Sequence, residues 1–171
     1  ANPTGPLHLG HTRWAAVGDA LARVLSAAGA EVSREFYIND RGVQMDLFGE
    51  SLRASALGIA KPEAGYQGGY IDDLAKKIVL AEPDLLKLSE PESLVAFREA
   101  GYKLQLQEQK DVLAKFGTSF QVWFSERSLH AGDGLTKAMA RLKEQGHIFD
   151  DEGATWLRTT DFGDDKDRVL R

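Results

Sequence analysis

The chain has 171 residues, 43% of them hydrophobic, and a formal net charge of -5 at pH 7. This length and composition allow one ordinary globular domain, and the acidic balance argues against a nucleic-acid binder held by a basic face. No stretch approaches the roughly 18 consecutive apolar residues of a membrane-spanning helix, so we expect a soluble protein. Because the sequence has no cysteine, disulfides, thiol nucleophiles and cysteine-ligated zinc are excluded, which fits the cytoplasm.

The first elements in chain order predict half of a β-α-β unit. Apolar residues from Trp14 to Ala28 recur every three or four positions, which predicts an amphipathic helix ending near Gly29. Residues 31–38 then alternate as a strand and are stopped by the turn-forming "NDRG". Since a parallel pair needs a strand on each side of the crossover helix, we expect another strand directly before Ala1 and a longer parent chain.

The remaining elements alternate between helix and strand. Helices are predicted in 69–81 and 89–117, with Ser89 and Glu92 as a capping box at the start of the second. An aromatic strand follows in 118–125, then a helix ending at Gly146 and a hairpin in 147–159. No linker rich in proline or serine divides the chain. The order predicts an α/β fold.

The opening stretch "ANPTGPLHLGH" predicts a stiff turn that leads into the first helix. Pro3 and Pro6 fix their own φ angles, and Gly5 allows a sharp reversal. If the helix begins near residue 9, His8 and His11 lie three apart at its N-terminal end.

This location suits the binding of a nucleotide. Free backbone N–H groups and the positive end of the helix dipole attract anions, and the same dipole disfavours a protonated imidazole. We therefore expect largely neutral His8 and His11 to donate N–H bonds to phosphate oxygens. Gly10 between them would allow a flat ring or a sugar to approach the backbone.

The same residues resemble a known signature. His8-Leu9-Gly10-His11 is similar to the HIGH motif of class I aminoacyl-tRNA synthetases, and the full stretch resembles its form in bacterial arginyl-tRNA synthetases. Further blocks agree with that family, in chain order: "REFYINDRGVQ" (34–44), "YQGGYIDDLAK" (66–76), "VWFSERSL" (122–129) and "GATWLRTTDFGDDKDRVL" (153–170).

The resemblance implies a Rossmann-like class I catalytic core that lacks its first strand. It implies a single partial catalytic domain in three segments: 1–42 as the first half of the nucleotide-binding core, 43–117 as a mostly helical insertion, and 118–171 as a strand, helix and hairpin returning to the core. The family's KMSK-like loop and further arginine-pocket residues would lie beyond Arg171. Residues 1–11 contain no lysine or arginine. We therefore expect the 171-residue chain alone to be inactive.

The resemblance also implies the site residues and substrates. His8 and His11 would be catalytic and bind the ATP phosphates, Gly10 would admit the adenosine, and Asn2 and Glu126 would bind arginine. No metal ligands are predicted in the chain, although Mg²⁺ would accompany ATP. The partners would be L-arginine, ATP and a tRNA held mainly by other regions, in a monomeric cytoplasmic parent without a membrane.

Two other functions stay open on the residues alone. The chain could be a nucleotidyltransferase of the same HxGH superfamily acting on a small molecule, which would need neither tRNA-binding domains nor a guanidinium pocket. It could also be a non-catalytic helical adaptor in which the histidine pair is only a cap or a surface feature. Thermal stabilisation by arginine, ATP or an arginyl-adenylate analogue would separate the three.

Several other conspicuous residues have a simpler interpretation. Asp40 and Arg41 read as turn residues, and the kinase-like letters 161–163 read as part of a solvated loop, because no other kinase motif accompanies them. The remaining histidines and the tryptophans are interpreted as structural or as packing residues: His130, His147, Trp14, Trp123 and Trp156.

Overall fold

The computed structural model describes residues 1–170, which form two compact units, one of residues 1–126 and one from Arg127 onward. The helices are α1 (Leu9–Ala27), α2 (Val43–Leu57), α3 (Gly69–Ala81), α4 (Glu90–Lys115), α5 (Arg127–His130) and α6 (Gly134–Glu144). The strands are β1 (Glu35–Ile38), β2 (Val122–Ser125), β3 (Ile148–Asp151), β4 (Ala154–Leu157) and β5 (Arg168–Val169). This is the expected α/β fold.

The first unit contains a parallel pair of strands. β1 pairs with β2 so that Glu35 lies opposite Val122 and Ile38 opposite Ser125. The predicted pairing between 31–38 and 118–125 is confirmed, although both strands are shorter than the sequence pattern suggested. Because the strands are parallel, the residues that follow them emerge at the same edge of the sheet.

Ala1 lies against the other edge of β1. Its nitrogen donates to the carbonyl of Tyr37 at 2.7 Å, and its carbonyl accepts from the backbone N–H of Asn39 at 3.0 Å. Two such bonds on either side of Ile38 form a parallel bridge between Ala1 and Ile38. The turn at residues 1–6 is therefore anchored to the carboxyl end of β1.

The helices α2, α3 and α4 enclose the main core of the first unit. Its buried apolar side chains are Met45, Phe48, Leu52, Ile71, Leu74, Ala75, Ile78 and Phe97. The helices approach closely because Gly101 has no side chain: a Cβ there would overlap Leu52 Cδ1 and lie 2.9 Å from Phe48 Cε1. Residues 43–117 are mostly helical, while the three-segment division of the domain stays a prediction.

The expected packing of α1 is wrong in one respect. The helix forms and is followed by Gly29 in a left-handed conformation, φ 90°, but its apolar face is largely uncovered. Trp14, interpreted as a packing residue, is 69% exposed, and Ala22 is the buried residue of this helix. Trp123 and Trp156 are half-buried, as expected.

The start of α4 also differs from the prediction. Ser89 is the N-cap residue and Pro91 lies in the first turn, but the Ser89 side chain accepts no bond from the helix backbone. Its hydroxyl donates instead to the Glu92 carboxylate at 2.6 Å. The expected capping box is therefore absent, because the two side chains bond to each other.

The second unit contains a three-stranded antiparallel sheet in the order β3-β4-β5. The predicted hairpin is confirmed: Glu152 and Gly153 both have positive φ, 47° and 79°, as a two-residue type I′ turn requires. The following segment is exposed over residues 161–166, as predicted for a solvated loop, and it contains local hydrogen bonds. Thr160 binds Asp167 through its hydroxyl at 2.8 Å, and β5 follows at once. Within residues 1–170, no helix is long and apolar enough to cross a membrane.

Candidate active site at the start of the first helix

His8 and His11 cap the start of α1 reciprocally. The Nδ1 atom of His8 accepts the backbone N–H of Gly10 at 3.1 Å, and the Nδ1 atom of His11 accepts the backbone N–H of His8 at 3.2 Å. The two rings lie 3.8 Å apart between centroids and are tilted by 34°. Each imidazole thus satisfies a backbone donor that a helix start otherwise leaves unpaired.

This cap determines which nitrogen carries the proton when each ring is neutral. A nitrogen that accepts a hydrogen bond carries no proton, so the neutral rings hold their proton on Nε2. Burial and, after it, the neighbouring His8 lower the pKa of His11. In the neutral tautomer that fits this cap, Nε2 of each ring is the atom left to donate to a ligand. The phosphate-binding role of the two histidines stays a prediction.

Gly10 is required by the His8 ring itself. A Cβ on Gly10 would lie 3.0 Å from Cε1 and 3.1 Å from Nδ1 of His8. These distances are shorter than ordinary carbon contacts, so a side chain would press the ring away from its cap position. Sequence reasoning assigned this glycine to the approach of a ligand, and the structure adds this local reason.

Asn2 is built into the turn that precedes α1. Its side-chain oxygen accepts from Asn39 Nδ2 at 2.7 Å, and its side-chain nitrogen donates to the Oε1 atom of Gln44. Asn39 directly follows β1, so Asn2 lies at the carboxyl end of that strand. In parallel α/β sheets, ligands bind outside this end of the strands.

Glu126 lies at the same edge, directly after β2. Its backbone N–H donates to the carbonyl of Ile38 at 3.0 Å, and its Oε2 atom is buried without a hydrogen-bond partner among the described residues. A buried carboxylate oxygen is unfavourable unless a donor reaches it. After desolvation, the charges of Glu126 and Asp40 raise the pKa of Tyr37, so this edge of the sheet is electronegative.

Asp40, interpreted from the sequence as a turn residue, is buried at this edge of the sheet. It is 1% exposed, and its Oδ2 atom accepts the hydroxyl of Ser125 at 2.6 Å. The bond joins the carboxyl ends of β1 and β2. The available signal was an acidic residue two positions after a strand, and it was interpreted as part of the turn because "NDRG" is also a common turn sequence.

The structure thus connects Asn2 and Glu126 to one strand end and places His8, Gly10 and His11 a few residues after the anchored turn. Among residues 1–170, no group of three or more histidine, cysteine, aspartate or glutamate side chains could hold a metal ion. His147 packs against Phe162 at 5.0 Å between ring centroids.

Comparisons with known proteins agree with this geometry. The family model for the catalytic domain of class I tRNA synthetases (R) matches residues 1–171. The chain is 56% identical over 170 residues to an arginine–tRNA ligase of Pseudarthrobacter chlorophenolicus and 54% identical to one of Paenarthrobacter aurescens. It covers 31% of the length of each of these relatives, and they cover 99% of this chain.

Solved structures show the same relationship. An arginyl-tRNA synthetase from Campylobacter jejuni matches with a TM-score of 0.87 and 35% identity, over 99% of this chain and 38% of that chain. The arginyl-tRNA synthetase of Thermus thermophilus, at 24% identity and a TM-score of 0.62, shares the fold over 99% of this chain and 31% of its own. The resemblance inferred from the signature residues is confirmed, and the chain belongs to the catalytic-domain family of class I tRNA synthetases (R).

Proposed function

We propose that the protein joins L-arginine to tRNA in two steps with ATP as substrate. The arginine carboxylate attacks the α-phosphorus of ATP and pyrophosphate leaves, which gives arginyl-adenylate. A terminal hydroxyl of tRNA then attacks the arginyl carbonyl, and AMP leaves. The family and the relatives' names support this proposal, and the observation that carries it is the pair of histidines whose Nδ1 atoms cap the start of α1, which leaves Nε2 of each ring to contact a ligand.

In this proposal His8 and His11 are the catalytic residues. Negative charge builds up on the ATP phosphates as the α-phosphorus becomes five-coordinate, and donors that are already in place stabilise that charge without reorganising. Because each Nδ1 is bonded to the backbone, both rings are fixed with Nε2 as the available donor. Gly10 leaves the backbone between them open to the adenosine.

Glu126 and Asn2 bind the arginine. A guanidinium group offers a planar set of donors that match a carboxylate, so it would satisfy the buried Oε2 atom of Glu126. Asn2 contacts the polar end of the same substrate from the anchored turn. The electronegative edge formed with Asp40 favours a cationic substrate over a neutral one.

The proposal also covers the metal ion, the cellular compartment and tRNA. Mg²⁺ arrives with ATP as part of the nucleotide substrate, bound by its phosphates. The protein acts in the cytoplasm as a monomer, and tRNA is held mainly by regions outside this chain. The absence of cysteine is in keeping with a reducing compartment.

Binding measurements on the full-length protein test the substrate assignment. Arginine, ATP and a non-hydrolysable arginyl-adenylate analogue should each raise the melting temperature, with the analogue raising it most. Citrulline, which replaces the guanidinium by a neutral urea group, should have little effect and serves as the matched control. Stabilisation by ATP but not by arginine would indicate a different nucleotidyltransferase, and no stabilisation by any ligand would indicate a non-catalytic role.

A further inference from the structure

The buried side of α4 contains two glutamines. Its buried residues recur every four positions: Ser93, Phe97, Gly101, Gln105, Gln109 and Leu113. Gln105 is 0% exposed and Gln109 is 1% exposed. A buried amide needs hydrogen-bond partners to offset its loss of water, so the contacts of these side chains indicate why they are there.

Gln109 bonds to the turn that precedes α1. Its Nε2 atom donates to the carbonyl of Asn2 at 3.0 Å and to the carbonyl of Gly5 at 3.0 Å. An amide nitrogen has two N–H groups, and each is directed at one end of the turn. These partners are 107 and 104 residues away in the sequence, so the contact is purely tertiary.

A second side chain holds the same turn. The hydroxyl of Tyr70, at the start of α3, donates to the carbonyl of Thr4 at 2.9 Å. Gly5 allows this approach, because a Cβ there would lie 3.2 Å from the Tyr70 hydroxyl oxygen. Burial and then the neighbouring Tyr66 raise the pKa of Tyr70 to about 12, so this hydroxyl keeps its proton at neutral pH.

The turn connects the bonds from Gln109 and Tyr70 to the residues of the site. Pro3 and Pro6 restrict its backbone, so its two ends move together rather than independently. Asn2 lies at one end and His8 follows the other. Catalysis is steeply sensitive to displacements of about 1 Å in the positions of such groups.

We propose that Gln109 is a positioning residue for adenylate formation: its two hydrogen bonds set the placement of Asn2 and His8 from the buried side of α4. This inference rests on the proposed function. It gives the helical segment 43–117 an indirect part in catalysis, because α4 belongs to that segment.

Gln105 is the matched control. It lies one turn earlier on the same buried side, and its Nε2 atom donates to Glu108 of the same helix at 3.2 Å rather than to the turn. The Oε1 atoms of both glutamines are buried without a hydrogen-bond partner among the described residues. Gln105 therefore controls for the loss of a buried amide in α4 without the loss of a bond to the turn.

The test compares Gln109→Met with Gln105→Met in the full-length protein. Methionine is unbranched and similar in volume to glutamine, but it has no N–H donor, so packing is largely retained. Gln109→Met should lose more thermal stability than Gln105→Met, because it breaks two hydrogen bonds to the turn rather than one within α4. Gln109→Met should lower kcat of arginine-dependent ATP–pyrophosphate exchange at least tenfold and speed hydrogen exchange in the peptide 2–12. Gln105→Met should leave both within about twofold of the wild type.

Equal effects of the two variants on kcat and on hydrogen exchange would overturn the inference. If Gln109→Met does not fold, Tyr70→Phe removes only the second bond to the turn and should change both readouts in the same direction. A wild-type protein without arginine-dependent exchange would refute the proposed function, and the hydrogen-exchange comparison would still decide whether Gln109 holds the turn.

Discussion

The backbone N–H of His8 donates to the Nδ1 atom of His11 at 3.2 Å, so the two signature histidines hold each other as well as the helix. The Nδ1 atoms of both rings accept backbone N–H groups at the helix start, so Nε2 of each ring remains available to a ligand. One structural arrangement therefore fixes ring orientation and tautomer before any ligand arrives, and preorganisation of this kind is what electrostatic stabilisation of a transition state requires.

The first prediction concerns the protonation of His11. Burial and His8 lower its pKa from the ordinary value of 6.5, so the ring should be neutral at pH 7 and should remain so somewhat below pH 6.5. In nitrogen-15 NMR spectra, its neutral form should carry the proton on Nε2. A ring that titrates above pH 6.5, or one protonated on Nδ1, would contradict the reciprocal cap.

The second prediction concerns Gly10. Gly10→Ala should displace the His8 ring and break its cap, lowering exchange activity at least tenfold while reducing stability by about 0.5–2 kcal/mol. Gly18→Ala is the control, because a Cβ at Gly18 of α1 would meet nothing within 4 Å. That variant should keep its activity and gain up to about 1 kcal/mol of stability. Equal activities would show that the ring position does not matter.

The third prediction concerns Glu126. Glu126→Gln should weaken arginine binding by roughly 1.5–3 kcal/mol, the scale of a charged hydrogen bond, and leave ATP affinity nearly unchanged in calorimetric titrations. Glu31→Gln, at an exposed position before β1, should change neither affinity. Unaltered arginine binding in the Glu126 variant would remove this carboxylate from the proposed pocket.

The fourth prediction concerns the close packing of α2 against α4. Gly101→Ala should lower the free energy of unfolding by about 1–3 kcal/mol, because the added methyl overlaps Leu52. Gly69→Ala, where a Cβ meets nothing within 4 Å, should be neutral or slightly stabilising. Chemical denaturation measures both. An equally stable Gly101→Ala variant would show that the two helices can separate easily.

The sequence pattern predicted the helices, strands and turns that depend on residues close together in the chain. The helix from residue 9, the parallel strands and the turn at Glu152 and Gly153 follow from periodicity and turn chemistry, and the structure contains them. The exposure of Trp14 was missed because periodicity shows that a helix has an apolar face, not what covers it.

The polar contacts of the site were harder to predict from the sequence. Gln109 lies in a polar stretch, "LQLQEQK", in which nothing marks one glutamine as buried. Its partners lie more than a hundred residues away, so only the tertiary structure shows the contact. Asn2 and Glu126 came instead from the resemblance to a family, and their roles as arginine ligands stay predictions.

The most direct test of the central claim is ATP–pyrophosphate exchange by the full-length protein, with tRNA supplied. We predict exchange that depends on arginine, is not supported by citrulline, and falls at least a hundredfold in His11→Ala, about 2.7 kcal/mol of lost transition-state stabilisation. Exchange that proceeds without arginine, or that His11→Ala leaves unchanged, would contradict the account.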